Sequence, residues 1–467
     1  MKHGLIYIFL FLFLTEILGV TTGCANIIPP TGGPRDSLPP LLISVNPTDS
    51  SLNFNEKRIV FYFNEYVEIQ EARENVIVSP TPKIDPVVDF KLHTVTVRLK
   101  DTLEVNTTYS INFGNAIRDI NEGNQLKDFT YVFSTGTTLD DKQLSGKVLL
   151  AENGKVDSTL TVLLHRSADD SSIIKDRPRY IARLTADGNF NFRNLPAGTF
   201  YLYALKDEGG TKRYLSKSQL FAFSGKPVII NDNTAPDTLY AYIESEEEPR
   251  RSGILPTVKE KNNQDRRLTL QSNLESGQQD LLGSFELLPA TPLKTYDSAK
   301  LRFTDIAFQP ITNYLLTPDS FYKKLTLTYA WKPDSTYHII IDTGFAEDST
   351  GRKTLKKDTV TFKAKKESDY GSLKLKFPML DLGRNPVLQL ILNDKIVFSD
   401  PLSTREFFRK LFNPGDYEIR ILYDENRNGK WDPGSFFSKH IQPEKVRAIE
   451  KKVNVKANWD KDYTIEL

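Results

Sequence analysis

Residues 106–136 read NTTYSINFGNAIRDINEGNQLKDFTYVFSTG. Alternating residues at 109–113 and 129–134 predict two strands, and the polar segment 119–124 predicts a turn between them. Further short strands are predicted upstream, at residues 58–67, 75–79 and 93–99. About seven short strands, with no convincing amphipathic helix, predict an immunoglobulin-like sandwich over residues 41–137.

The composition favours an all-β chain. The 28 Phe and 20 Tyr, against 2 Met, favour strands over helices, and 26 Pro and 25 Gly separate the strands by turns. A chain of 467 residues is too long for one core and implies roughly three to four domains. Lys and Arg number 61 and Asp and Glu 60, so the charge gives no case for nucleic-acid binding.

A second pattern lies within residues 143–244. It reads TADGNFNFRNLPAGTFYLYALKD at residues 185–207. Asp187 and Gly188 predict a turn, Phe190 and Phe192 alternate towards one face, and Pro-Ala-Gly leads into a further strand. These features predict a second β-sandwich.

Both patterns recur later in the chain at constant spacing. The segment DSTYHIIIDTGFAEDSTGRKTLKKDTVTF aligns with the first pattern and pairs Tyr337 with Tyr109. The segment NPGDYEIRILYDENRNG aligns with the second and pairs Gly415 with Gly198. The chain is therefore predicted to be a duplicated two-domain unit.

Two family resemblances support this interpretation. VNPTDSS, IVFYFNEYV and residues 106–136 resemble the bacterial Ig-like domain named after a surface-layer protein, which is common in lipoproteins of the Bacteroidota. Residues 185–207 resemble the transthyretin-like sandwich of carboxypeptidase regulatory domains and stalk modules. The fold class implied is all-β, with four tandem β-sandwich domains: Ig-like domains at 41–137 and 268–366, and transthyretin-like domains at 143–244 and 370–467.

The first 24 residues predict export. An apolar run at 5–14, too short to span a bilayer, leads to Cys24, the only cysteine, and predicts a signal peptide over residues 1–23. The tract resembles the lipobox of bacterial lipoproteins, which implies lipidation of Cys24 and attachment to the membrane through a lipid anchor. Thr21, where the family prefers Leu, and Glu16 depart from that pattern. The alternative is an ordinary or uncleaved signal peptide with an incidental cysteine.

Two segments are predicted to be linkers. Residues 24–40 are rich in Pro and Gly, which is typical of a semi-extended tether. Residues 245–267 are highly charged and poor in aromatic residues, which predicts a flexible linker and a hinge between the two halves. A partner-binding segment is the alternative interpretation of the second.

Residues 424–432 read DENRNGKWD and have the spacing of a calcium loop. Oxygen-bearing side chains occupy positions 1, 3, 5 and 9, and Gly at position 6 permits the bend. Ser435 stands at position 12, where such a loop has a bidentate carboxylate. The alternative is an Asn/Gly-rich hairpin turn with Trp431 packed beneath it. The predicted Ca²⁺ ligands are Asp424, Asn426, Asn428, the carbonyl of Lys430, and Asp432.

Asp followed by Ser or Thr, and then by a small apolar residue or Thr, recurs along the chain. The triplet resembles the acceptor for O-glycosylation in Bacteroidota. The alternative is that these are ordinary turn and strand-edge residues. The resemblance implies candidate modification sites at Ser37, Thr102, Ser158, Thr238, Ser298, Ser335, Ser349 and Thr359.

The sequence predicts no catalytic residues. It lacks the motifs of serine hydrolases, zinc proteases and P-loop enzymes, and its 5 His are scattered. The resemblance to Bacteroidota envelope lipoproteins implies a non-enzymatic scaffold at the outer membrane, on its periplasmic or surface face, beside an integral β-barrel that assembles outer-membrane proteins or transports cargo. The rival is a glycan-binding or adhesive lipoprotein using Trp331, Trp431 and Trp459. An enzyme is a more distant alternative.

Overall fold

The computed structural model describes residues 35–245, 267–437 and 440–467. The predicted signal peptide, Cys24, most of the tether and nearly all of the charged linker lie outside the described residues. The chain divides into two compact units, Met1–Asp140 and Asp141–Leu467. In the part of the chain that the structure describes, no helix is long and apolar enough to cross a membrane.

The first unit is one β-sandwich. One sheet has the strand order β1-β2-β6-β5, the other β4-β7-β9, and β3 pairs with β8. Its elements are β1 (Leu42–Asn46), β2 (Arg58–Phe63), β3 (Val67–Ile69), α1 (Ala72–Asn75), β4 (Ile77–Ser79), β5 (Val87–Lys91), β6 (Thr94–Arg98), β7 (Thr108–Asn112), β8 (Ile117–Asp119) and β9 (Thr130–Ser134).

The second unit begins with a sandwich of a different order. Its sheets are β13-β10-β17 and β12-β11-β14-β15, and β16 also pairs with β14. Its elements are β10 (Lys142–Leu150), β11 (Leu160–His165), α2 (Ser172–Lys175), β12 (Tyr180–Arg183), β13 (Asn189–Leu195), β14 (Gly198–Lys206), β15 (Phe221–Phe223), β16 (Val228–Ile230) and β17 (Asp237–Ala241).

The third sandwich follows the charged linker. Its sheets are β18-β20-β24-β23 and β19-β27-β25-β22, and β21 pairs with β26. Its elements are β18 (Leu270–Ser272), β19 (Gln278–Gln279), β20 (Phe285–Pro289), β21 (Leu293–Tyr296), a 3₁₀ helix (Ser298–Lys300), β22 (Leu301–Asp305), β23 (Leu315–Pro318), β24 (Leu325–Thr328), β25 (Thr336–Ile341), β26 (Ala346–Asp348) and β27 (Asp358–Ala364).

The fourth sandwich completes the chain. Its sheets are β31-β28-β34 and β30-β29-β32-β33. Its elements are two 3₁₀ helices (Glu367–Asp369 and Leu382–Arg384), β28 (Gly371–Lys376), β29 (Pro386–Leu392), β30 (Lys395–Pro401), β31 (Glu406–Phe412), β32 (Gly415–Tyr423), β33 (Lys445–Val455) and β34 (Asp460–Thr464).

The predicted duplication is visible in the strand pairing. The first and third sandwiches share their strand order, apart from the added β19. In the second and fourth, the last strand runs parallel to the first, β17 beside β10 and β34 beside β28. Tyr109 and Tyr337 also match, because their hydroxyls accept the backbone N–H of Glu104 at 2.9 Å and of Lys332 at 3.1 Å. The predicted fold class is confirmed.

Candidate functional site

The loop between β32 and β33 carries both the predicted calcium ligands and a contact with the second sandwich. Residues 424–432, here called the ligand loop, contain all five predicted ligands. Residues 434–442, here called the docking segment, follow it and pack on β14 and β15 of the second sandwich. Ser438 and Lys439, within the docking segment, lie outside the described residues.

The ligand loop brings four of the predicted ligand side chains together. Asp424 is buried, and its carboxylate accepts the backbone N–H of Asn428 at 3.2 Å and of Gly429 at 2.6 Å. Oδ2 of Asp432 lies 2.6 Å from the Nδ2 atoms of both Asn426 and Asn428. Gly429 has φ of 76°, the left-handed conformation that glycine adopts without strain. These bonds place the side chains in one loop, with the amide nitrogens of Asn426 and Asn428, rather than their oxygens, directed at Asp432.

The fifth predicted ligand lies at the edge of this cluster. The backbone N–H of Lys430 donates to Oδ1 of Asn428 at 2.7 Å. Ser435, at position 12, is directed away, and its hydroxyl donates to Oε1 of Glu244 in the second sandwich at 3.1 Å. Ser435 thus serves the contact between sandwiches and leaves the position of the bidentate carboxylate unfilled.

Glu444 is a carboxylate beside the loop that the sequence analysis did not single out. It is buried, and it accepts the backbone N–H of Glu425 at 2.8 Å and of Asp432 at 3.0 Å. Burial raises the pKa of Glu444, and the nearby charge of Asp424 adds to this rise. Two buried carboxylates therefore lie close together, an arrangement that a bound cation would stabilise.

The hydrogen bonds of the ligand loop nevertheless satisfy its polar groups without an ion. The oxygens of Asp424 and Glu444 accept backbone N–H groups, and the two Asn amides donate to Asp432. Among the described residues no group of three or more His, Cys, Asp or Glu is placed to hold a metal ion. Calcium binding here stays a prediction.

The three tryptophans differ in exposure. Trp431 packs beneath the loop on Val387, Leu422 and Val446, and its Nε1 donates to the carbonyl of Glu444 at 2.8 Å. Trp331 lies in the core of the third sandwich, where its exposed fraction is 7%. Trp459 is 54% exposed and lies between two lysines, Lys456 and Lys461. A glycan-binding platform on all three side chains does not fit this arrangement.

The docking segment places Phe436 in an aromatic cluster on the outer face of the second sandwich. Phe436 is 1% exposed, and its neighbours on β14 and β15 are buried as well. The distances between ring centroids are 5.8 Å to Tyr203, 5.2 Å to Phe221 and 5.1 Å to Phe223. These separations are typical of edge-to-face aromatic packing. We call this cluster the aromatic joint.

Polar groups surround the aromatic joint. Glu244 accepts hydrogen bonds from Nζ of Lys217 at 2.9 Å and from the hydroxyl of Ser435. Burial alone would raise the pKa of Glu244, but these hydrogen bonds outweigh it and the pKa lies below its ordinary value. Nε2 of Gln442 donates to the carbonyl of Phe223 at 3.0 Å. The carboxylate therefore stays charged, and both sandwiches contribute to its hydrogen bonds.

A second contact between the second and fourth sandwiches is made by β33, which follows the docking segment. The backbone N–H of Val446 donates to the carbonyl of Ala151 at 2.9 Å. Gly154 lies so close to β33 that an added Cβ would be 2.8 Å from the backbone N of Ala448. Nε2 of His440 lies 2.7 Å from Oδ2 of Asp170 in the second sandwich.

The third sandwich is fastened to the fourth through Asp280. Its carboxylate accepts the hydroxyl of Tyr370 at 2.7 Å and Nδ2 of Asn413 at 2.9 Å. Tyr370 is fully buried, and its hydroxyl also accepts the N–H of Leu281. These bonds hold the two sandwiches of the second half together, whereas the aromatic joint connects that half to the second sandwich, across the linker where the sequence predicts a hinge.

The aromatic joint had a signal in the sequence. Strand β11 reads LTVLLH and β15 reads FAF, without the polar alternation of a sheet that has one wet face. Both strands are buried on both faces apart from Thr161, which indicates a sheet covered on both sides. The residues that cover the second face of this sheet are Phe436 and Phe437, which are adjacent in the sequence and lie in a loop.

The candidate glycosylation sites are spread over the tether and the first three sandwiches, and none lies in the fourth. Seven of the eight are exposed, and Ser335 is half-buried. At three of them the carboxylate of the preceding Asp accepts the N–H of the hydroxyl residue itself, namely at Thr102, Thr238 and Thr359. This geometry is also that of an ordinary turn, so modification stays a prediction.

Comparison with known proteins supports the fold. Residues 36–135 match the model of the bacterial Ig-like domain, which confirms the resemblance for the first sandwich. No curated protein matches the chain in sequence.

Solved structures that the chain resembles include the following three. The Bacillus anthracis TIE protein has 12% identity and a TM-score of 0.17, with 94% of this chain and 75% of that chain covered. BcpA, the major pilin subunit of Bacillus cereus, has 12% identity and a TM-score of 0.15, with 70% and 99% covered. The S-layer protein rSbsC has 13% identity and a TM-score of 0.16, with 92% and 54% covered. Likenesses of this size carry no argument about function.

Replacing Phe436 by Ala should open the aromatic joint. The change leaves a cavity among Tyr203, Phe221 and Phe223, and such truncations cost about 3–5 kcal/mol. We expect faster hydrogen exchange at β15 and in the docking segment. The control is Phe408→Ala, since Phe408 is 65% exposed on β31. Unchanged exchange at β15 in Phe436→Ala would show that the joint does not depend on this ring.

Calcium should bind the ligand loop at about 10⁻⁴–10⁻³ M, the range of extracellular modules, because only two acidic side chains contribute. We expect isothermal titration of chelator-treated protein to show one site, and Asp432→Asn to abolish it. The matched control is Asp207→Asn, because the corresponding loop of the second sandwich lacks the Asn pair and Asp207 lies near Lys212. If no heat of binding is measured at millimolar Ca²⁺, the calcium hypothesis is rejected and the hairpin-turn alternative is favoured.

The exported protein should carry mass beyond its polypeptide on the exposed acceptor triplets. We expect Thr102→Ala and Ser349→Ala each to remove part of that mass in intact-protein mass spectrometry. Ser276 is a matched control, because it is exposed and follows Glu275 rather than Asp. An exported protein of unmodified polypeptide mass would reject the glycosylation hypothesis.

Proposed function

We propose that this chain is a lipid-anchored, non-enzymatic scaffold of the cell envelope that serves beside an integral outer-membrane β-barrel. The observation that carries the proposal is the aromatic joint. The loop between β32 and β33, which could have formed a substrate pocket, is instead packed on another domain. With the Asp280 bonds, this packing connects three sandwiches, as expected of a protein that presents fixed surfaces.

The anchor in this proposal is a diacylglycerol on Cys24, with the new amino terminus acylated. Two acyl signals give a stable attachment, whereas one chain alone gives marginal binding. The bacterial Ig-like domain at residues 36–135 begins twelve residues after Cys24, and such domains are common in the Bacteroidota lipoproteins that the sequence resembles. Location at the outer membrane, on either face, is part of the proposal.

The partner surface in this proposal is an exposed sheet edge. Strand β30 lies at the edge of the sheet β30-β29-β32-β33, and every residue of it except Phe398 is exposed. Ile396 and Val397 are adjacent and exposed on this strand. A strand of a partner can pair with such an edge through backbone hydrogen bonds, with side chains supplying specificity.

The experiment is a gentle detergent extraction of a tagged native copy, followed by mass spectrometry of the proteins recovered with it. We expect an integral β-barrel in near-stoichiometric amount, and its loss when Ile396 and Val397 are both changed to Lys. The matched control changes Phe321, an exposed residue of the third sandwich, to Lys. Recovery of the chain alone would overturn the scaffold role and favour the adhesive alternative, to be tested next by glycan binding and Trp459→Ala.

A further inference from the structure

One end of the first sandwich exposes a set of large apolar side chains. Leu38 and Ile43 are each 68% exposed, and Leu41 is 60% exposed. Ile43 is the extra residue of a β-bulge, because the register of β1 against β2 shifts between Leu42 and Ser44. We call this set the tether pole: Leu38, Leu41, Ile43, Tyr66, Leu92 and Ile120.

Backbone hydrogen bonds hold four of these residues in adjoining loops. The carbonyl of Leu41 accepts the N–H of Asn64 at 3.1 Å, next to Tyr66. The carbonyl of Leu92 accepts the N–H of Val67 at 2.9 Å, and the N–H of Ile120 donates to the carbonyl of Tyr66 at 3.1 Å. The side chains therefore project from one fixed surface rather than from independent loops.

The third sandwich provides an internal comparison. Its equivalent bonds run from Ala290 to the carbonyl of Thr269, from Leu293 to that of Tyr322 and from Ser349 to that of Pro292. By these bonds, Leu41 corresponds to Thr269, Tyr66 to Pro292 and Ile120 to Ser349, while Leu92 corresponds to Tyr322. Three of the four apolar positions thus lose their large apolar side chain in the copy that lies further along the sequence from Cys24.

The tether pole is also the end of the sandwich that the chain reaches first. Leu38 follows Cys24 by fourteen residues, a distance of at most about 50 Å when fully extended. The chain leaves at the opposite end, where the carbonyl of Gly136 accepts the N–H of Asn53. If Cys24 carries lipid, the tether pole is the part of this sandwich held closest to the bilayer.

We propose that the tether pole docks on the bilayer, with its aliphatic side chains among the acyl chains and Tyr66 at the headgroup level. The inference rests on the proposed lipid anchor at Cys24. Tyrosine is enriched at that depth because its ring is apolar and its hydroxyl stays wet. The anchor makes docking intramolecular, so a small apolar surface is sufficient.

The acidic residues around the tether pole determine which lipid headgroup charge it can approach. Acidic residues lie together beside the pole: Oδ1 of Asp119 accepts the N–H of Glu122 at 2.6 Å, and Nδ2 of Asn124 donates to the carbonyl of Asp36 at 3.2 Å. Burial and these neighbouring charges raise the pKa of Glu65. Such an acidic group repels anionic headgroups. The pole therefore suits a surface of zwitterionic phosphatidylethanolamine and phosphatidylcholine.

The test reconstitutes the native protein, purified from its own membrane, into phosphatidylethanolamine/phosphatidylcholine vesicles that contain a lipid with a diazirine on its acyl chain. After illumination, peptide mass spectrometry locates the adducts. We expect adducts on the peptides that carry Leu41, Ile43 and Leu92, at least fivefold above those on the peptides that carry Thr269 and Tyr322. Adding phosphatidylglycerol should reduce the signal.

The matched variants use residues that the chain itself supplies. Leu41→Thr with Ile120→Ser copies the third sandwich and should lower the adducts on Leu92 severalfold, whereas Phe321→Ser with Tyr322→Ser should leave them unchanged. Equal adduct levels at the equivalent ends of the first and third sandwiches would overturn the inference while leaving the anchor intact. A protein partner that covers the pole would give this same result, because it would keep the lipid away. Failure of the protein to float with vesicles would instead reject the lipid anchor.

Discussion

The burial of Phe436 against the outer face of the second sandwich is the interaction on which the second unit depends. A sandwich normally leaves the outer faces of its sheets to water. Here Tyr203, Phe221 and Phe223 make that face apolar, and a ring from the fourth sandwich covers it. Each buried aromatic side chain contributes about 2–3 kcal/mol relative to exposure in water. Neither sandwich therefore presents a complete surface without the other.

The ligand loop and the aromatic joint share one connection between strands. Glu444 closes the loop by accepting two of its N–H groups, and Val446, two residues later, is bonded to Ala151 of the second sandwich. Ser435 links the end of the ligand loop to Glu244. A change in the shape of the ligand loop would thus move residues at both ends of the docking segment. The ligand loop and the docking segment are coupled because they follow each other in the chain, so no chain of contacts through the rest of the protein is required.

The fold could be predicted from periodicity, but the association of the sandwiches could not. The alternation around Tyr109 and Phe190 gave the strands, and the spacing of Tyr109 from Tyr337 gave the duplication, because both are local or repeated patterns. The convergence of Asp424, Asn426, Asn428 and Asp432 was also predicted from spacing. The sequences of β11 and β15 indicate a covered face but not what covers it: Phe436 packs on Phe223, and the nearby bond from Gln442 to Phe223 spans 219 residues, a pairing that no local pattern records.

The parallel pairing of the last strand with the first has a consequence for the order of folding. β34 pairs with β28, so the fourth sandwich is complete only when residues 460–464 have emerged. The second sandwich emerges long before, with its aromatic face uncovered, and exposed apolar sheet faces favour aggregation. If the chain is exported from its amino terminus, as the sequence predicts, this face stays uncovered until Phe436 has also crossed the membrane, and a chaperone that covers apolar surface would protect it until then.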